Sequence, residues 1–142
     1  MKSDHPHLKD VMTPFPHAID IEAPLLEARK MMLDHHVHHL PVVHAHKLDG
    51  IISDRDIKLV LGPEFDYPDP YRLTVKDVYQ PDCYQVDIRT MLWEVVQTMA
   101  ERHIGAAVVM RNGNLAGIFT VTDACRVLAE LLHPPTPPDE VA

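Results

Sequence analysis

Displacing the chain by 67 positions lays residues 9–61 over residues 76–128 without a gap. Seventeen of those fifty-three pairs are identical, among them Lys9/Lys76, Asp10/Asp77, Val11/Val78, Gly50/Gly117, Ile51/Ile118 and Asp56/Asp123. Typical residue usage would give about one match in seventeen. The chain is therefore an internal duplication, and any fold assigned to it must be built from one unit used twice. A unit of half this length buries too little surface to be stable alone, so the two copies are expected to share a core.

Reading both copies together fixes the order of elements. A short strand (17–21; 84–88) leads into a helix beginning near Pro24 or Met91, with Thr90 as a candidate N-cap. Leu25, Ala28, Met32 and Leu33, like Leu92, Val95, Val96 and Met99, follow the helical period and form the expected core faces. A second strand (40–44; 106–110), a turn and a third strand (48–53; 115–120) follow. Asn112-Gly113 marks a hairpin in copy two, since both residues tolerate positive φ. A closing helix covers 56–61 and 123–132. The predicted fold is thus α/β (α+β), β-α-β-β-α twice, packed as a pseudo-twofold pair with units at 9–66 and 72–133. A Pro-rich, acidic linker (62–71) separates them, and a Pro-rich flexible tail (134–142) ends the chain.

Composition narrows the function. The chain has 142 residues, 46% hydrophobic and 24% charged, as expected of a folded globular protein. Its formal net charge of −8 opposes broad attraction to nucleic acid or to an anionic membrane, so neither DNA nor membrane is expected as a partner. No apolar run approaches the ~20 residues of a membrane span, and the polar start lacks the apolar core of a signal peptide. A cytoplasmic protein is expected, with Cys83 and Cys125 as free thiols.

The most informative local pattern is Gly50-Ile51-Ile52-Ser53-Asp54-Arg55-Asp56, matched by Gly117-Ile118-Phe119-Thr120-Val121-Thr122-Asp123. Each runs from strand to helix with a hydroxyl followed three residues later by a carboxylate. Ser53 and Thr120 can cap their helices, with Asp56 and Asp123 in the first turn where negative charge suits the dipole. The same groups can serve a ligand: a hydroxyl beside free N–H groups at a helix start binds phosphate, and a carboxylate accepts from ribose hydroxyls. Their repetition favours the ligand reading.

These residues carry a resemblance to the cystathionine-beta-synthase (CBS) domains, which occur as tandem pairs. It covers residues 9 to about 132 and rests on Asp10-Val11-Met12, on His38-His39-Leu40-Pro41-Val42-Val43, and on the run from Gly50 to Asp56. Copy two departs from the pattern with Tyr79 in place of Met12 and Gly105-Ala106 in place of His38-His39. The resemblance implies a non-catalytic regulatory module with two sites in a central cleft for AMP, ADP, ATP or S-adenosylmethionine, and hence a role in energy sensing. It implies ribose contacts at Asp56 and Asp123, and phosphate contacts at Ser53 and Thr120. Adenine would lie against Met12, His17, Ala18, Val37 and Ile51 in one site, and against Tyr79, Tyr84, Gln85, Ile104 and Ile118 in the other. His38 and His39 would approach phosphate. It further implies a homodimer and an unidentified regulated protein, with no cofactor required beyond the regulatory nucleotide.

Two rival readings stand beside this one. The chain could be an interaction scaffold whose nucleotide site is vestigial. Alternatively, the histidines at 35, 36, 38, 39, 44 and 46 could hold a metal for an enzyme, but they straddle a helix end, a strand and a turn, so few can converge on one ion. No metal site is expected. Cys83 and Cys125 lack a local nucleophile signature, and no catalytic residue is assigned.

Overall fold

A computed structural model describes residues 5–62 and 69–136; most of the expected linker and the end of the expected tail lie outside the described residues. The first copy comprises α1 (Leu8–Val11), β1 (Thr13–Pro14), β2 (Ile19–Asp20), α2 (Leu25–His35), β3 (His39–His44), β4 (Lys47–Ser53) and α3 (Asp54–Leu61). The second comprises two short 3-10 turns (Pro70–Arg72 and Val75–Asp77), then β5 (Gln85–Asp87), α4 (Leu92–Arg102), β6 (Ala106–Arg111), β7 (Asn114–Thr120) and α5 (Val121–Leu132). Each copy forms its own sheet. β3 pairs in parallel with β2 and antiparallel with β4, and β6 does the same with β5 and β7. Even the bulge repeats, falling between Val42 and Val43 and between Val109 and Met110.

The predicted order holds, with local corrections. The leading strands are shorter than expected, leaving His17, Ala18 and Tyr84 ahead of them. Both closing helices begin two residues earlier, because Ser53 and Thr120 are the N-caps and the carboxylates sit at the third helical position. Met91 rather than Thr90 occupies the N-cap position of α4, without a side-chain capping hydrogen bond. Leu33 is 63% exposed, since the core face of α2 is carried by Leu25, Ala28 and Met32. Among the described residues no helix is long and apolar enough to cross a membrane. Cys83 and Cys125 are free thiols.

The two copies exchange their leading segments, which the repeat alone does not reveal. β1 of copy one adds to the edge of β7 in the sheet of copy two, pairing Thr13 with Ile118 and Pro14 with Gly117. The equivalent segment of copy two crosses the other way, where Gln80 bridges Ile51 through two backbone hydrogen bonds. Leu8 is buried in the core of copy two beside Val95 and Phe119, while Val75 and Val78 are buried in the core of copy one beside Leu25 and Leu40. A fully buried side chain of this size contributes about 1.5–3 kcal/mol. Each copy thus completes the other's core, and the clefts between the copies are walled by both.

Candidate functional site

Two cavities lie where the copies meet. The first, of about 670 Å³, is lined by Ser53 and Asp56 from the start of α3 and by Gln80, Tyr84 and Ile104 from copy two. The second, of about 420 Å³, is lined by Thr120 and Asp123 from the start of α5 and by His17 and Val37 from copy one. Each cavity therefore takes its hydroxyl and carboxylate from one copy and its apolar wall from the other.

The cap geometry shows how one carboxylate serves two ends. The Ser53 N–H donates to Asp56 Oδ2 at 2.9 Å, and the Asp56 N–H donates to Ser53 Oγ at 3.1 Å. This reciprocal box satisfies two donors that a helix start otherwise leaves open. It uses one carboxylate oxygen. Among the described residues, Asp56 Oδ1 meets the Gln80 side-chain amide, at 3.3 Å. In copy two, Asp123 Oδ2 accepts from the Thr120 N–H at 2.9 Å and from its hydroxyl at 3.0 Å. There Oδ1 accepts from the Arg126 guanidinium at 3.1 Å, and Asp123 is only 6% exposed. In each copy, then, one carboxylate oxygen closes the helix start and the other faces a side chain that lines the cavity, Gln80 or Arg126.

The structure places the expected residues in two groups that cross the expected ones. Ile51 lines the Asp56 cavity with Tyr84 and Ile104, and Ile118 lines the Asp123 cavity with His17 and Val37. The grouping of Ile51 with His17 is thus corrected, because each leading segment has crossed to the other copy. Met12, Ala18, Tyr79 and Gln85 are not among the lining residues of either cavity. Met12 packs against the core of copy two. Tyr79 packs against the core of copy one and donates its hydroxyl to Asp49 at 2.6 Å. Ala18 is half-buried just ahead of β2, and Gln85 begins β5, its side chain beside Cys83. His38 and His39 line both cavities rather than one. Burial, with His38 alongside, holds the His39 imidazole below its ordinary value, against the pull of Asp56.

Several contributing residues escape a reading of the sequence. Arg55, Gln80 and Arg102 line the Asp56 cavity and Arg126 lines the Asp123 cavity. Only Arg126 carried a signal, three residues beyond Asp123 on a helix. Arg102 lies 5.7 Å from the Tyr84 ring centroid. At the equivalent place in copy one, His17 and His35 stack with ring centroids 3.6 Å apart and planes within 14°. A flat group flanks each cavity, backed by a cation in one and by an imidazole in the other. Among the described residues no three His, Cys, Asp or Glu side chains converge as a metal ion requires.

Comparison with known proteins follows the same division into two copies. A family model of the CBS domain matches residues 8–62 and again 75–130. A CBS domain-containing protein of Dictyostelium discoideum is 27% identical over 139 residues, covering 92% of this chain and 96% of that protein. The inosine-5'-monophosphate dehydrogenase of Korarchaeum cryptofilum is 31% identical over 117 residues, 82% of this chain; the match spans only 22% of that enzyme's length. Among solved structures, the CBS domain pair of protein MJ0100, in complex with 5-methylthioadenosine and S-adenosyl-L-methionine, superposes with a TM-score of 0.79 at 22% identity, covering 89% of this chain and 98% of that one. CBSX2 in complex with AMP superposes with a TM-score of 0.76 at 23% identity, covering 89% and 98%. At these identities the two superpositions establish the shared mixed α/β fold.

Proposed function

The chain belongs to the CBS-domain family, matched over both of its repeats, and from that premise we propose that it is a non-catalytic regulatory module. Its ligand is adenosine-containing: AMP, ADP, ATP or S-adenosylmethionine, held in the Asp56 and Asp123 cavities. The observation that carries this reading is the repetition of one arrangement, a capping carboxylate that closes its helix start with one oxygen while the other meets a side chain of the cavity wall, Gln80 or Arg126. In such a site this second oxygen accepts from the two ribose hydroxyls, which take the place of Gln80 or Arg126 on it. Ile104 with Tyr84, or Val37 with His17, supplies the flat apolar wall that adenine needs. The adenosine compounds held by MJ0100 and by CBSX2, which share this fold, support the same ligand class.

Ligand acts on a regulated partner only so far as it binds two arrangements of the module unequally. Two copies of the chain associate through α4 and α5, whose outer face exposes Met91, Trp93, Val121, Leu128 and Leu131.

Calorimetric titration with AMP, ATP and S-adenosylmethionine tests the site assignment on Asp56→Asn and Asp123→Asn. Asparagine keeps an oxygen for the cap N–H but turns the other oxygen into a donor, which cannot accept from ribose. Each substitution is expected to weaken its own cavity about tenfold or more, the worth of a hydrogen bond to a charged group. Unchanged binding in both variants would remove the assignment.

A further inference from the structure

The two cavities share a wall, and it is made almost wholly by one copy. His38, His39 and Gly105 line both. Duplication would give each cavity its own pair of side chains there, but His38 and His39 face Gly105 and Ala106 at the equivalent positions. His39 lies close beside Gly105, where a Cβ would stand 3.2 Å from His39 Nε2, tighter than ordinary contact.

This wall is tied to both ligand sites through the backbone. The His38 carbonyl accepts from the N–H of Asp54 at 2.9 Å, and the Gly105 carbonyl accepts from the N–H of Val121 at 3.0 Å. Asp54 and Val121 are the first residues of α3 and α5, the helix starts that carry Asp56 and Asp123. A continuous path therefore runs from the start of α3 through His38 and His39, across the contact with Gly105, to the start of α5.

Resting on the nucleotide reading above, we propose that the His38–His39 wall couples the two cavities, so that an anionic ligand in either one weakens the binding of a second anion in the other. The physical reason is scarcity of donors. Each cavity has basic side chains of its own, Arg55 and Arg102 in one and Arg126 in the other, but between the two only His38 and His39 are shared, and an imidazole N–H can be given to one anion at a time. Two anions drawn to the wall also repel each other through a partly buried medium that screens them less than water does. An uncharged ligand makes no such demand. Coupling of this kind is reciprocal, each cavity affecting the other by the same factor.

The test separates coupling from the intrinsic difference between the sites. Calorimetry measures AMP and adenosine binding to the full chain, to Asp56→Asn and Asp123→Asn, and to each of these combined with His39→Gln. With one cavity disabled, the remaining cavity is expected to bind AMP about tenfold more tightly than it does as the second step in the unaltered chain. Adenosine shows less than a twofold gain, and His39→Gln reduces the AMP gain to that level. Second-step AMP affinity equal to that of the single-cavity variants overturns the coupling while leaving the nucleotide reading intact. Absence of both AMP and adenosine binding overturns both.

Discussion

The ring of Tyr79 lies directly over Gly50, so close that a Cβ on this glycine would sit 2.8 Å from the ring and collide with the carbonyl of Gln80. Gly117 holds the same relation to copy one, where the side chain of Met12 and the carbonyl of Thr13 fill the space. The two glycines are the crossing points of the exchanged segments. Backbone obstructs the new methyl at each, so it cannot be relieved by a side-chain turn alone. Gly50→Ala and Gly117→Ala are each expected to cost about 1–3 kcal/mol, the usual range for overpacking. Urea denaturation followed by circular dichroism measures this, and a loss under about 0.5 kcal/mol, the size of an ordinary surface change, would count against tight exchange.

The two hairpins invite a different substitution. Asn112 and Gly113 turn with φ of 51° and 80°, and in copy one Ala45 and His46 adopt φ of 49° and 65° without the residues that suit such values. The chain direction is set by the strands, so the turn holds its shape with poor residues. Ala45→Asn together with His46→Gly is expected to stabilise the protein by about 1 kcal/mol, with no change in ligand affinity. A thermal melt decides it; an unchanged or lower midpoint refutes the expectation.

Period and repetition gave the helices and hairpins, since Leu25, Ala28 and Met32 on one side and Val95 and Met99 on the other point inward for local reasons. The caps at Ser53 and Thr120 were legible too, because their spacing is local. Exchange of the leading segments was not, since Leu8 and Val75 have equally apolar alternatives within their own copies and only three-dimensional contact distinguishes them. That one omission misgrouped Ile51 and Ile118 and hid Gln80. Arg55 and Arg102 were hidden for another reason: charged residues at helix ends are ordinary in sequence, and only the cavity gives them a place.

Acid should weaken the fold through His39. Its imidazole is held below the ordinary 6.5 chiefly by burial, so the unfolded chain takes up this proton at a higher pH than the folded chain does. Stability is then full above about 6.5, falls as pH drops through that value, and levels off below the depressed folded value. His39→Gln is expected to flatten this part of the profile. Melting midpoints between pH 8 and pH 5 supply the comparison. Profiles of equal slope would show that the folded protein accepts a proton at His39 as readily as the unfolded chain.

The helical faces of the two copies differ in a way that bears on assembly. Copy two offers Trp93, 58% exposed, with Val96, Val121 and Cys125 along a groove of about 470 Å³. At the equivalent places copy one has Leu26, Arg29, Asp54 and Lys58, the last two joined by an ion pair at 2.8 Å. A twofold dimer uses one patch on both partners, and the apolar face of copy two can be desolvated without stranding charge, whereas that of copy one cannot. Contact centred on Trp93 is therefore expected, and a stable pair needs about 800 Å² from each partner. Trp93→Glu buries a charge in that contact but leaves the core of copy two untouched. Light scattering at micromolar concentration is expected to show a dimer for the unaltered chain and a monomer for the variant, with the same circular dichroism spectrum. A monomeric unaltered chain, or a variant that still dimerises, would rule this face out as the site of pairing.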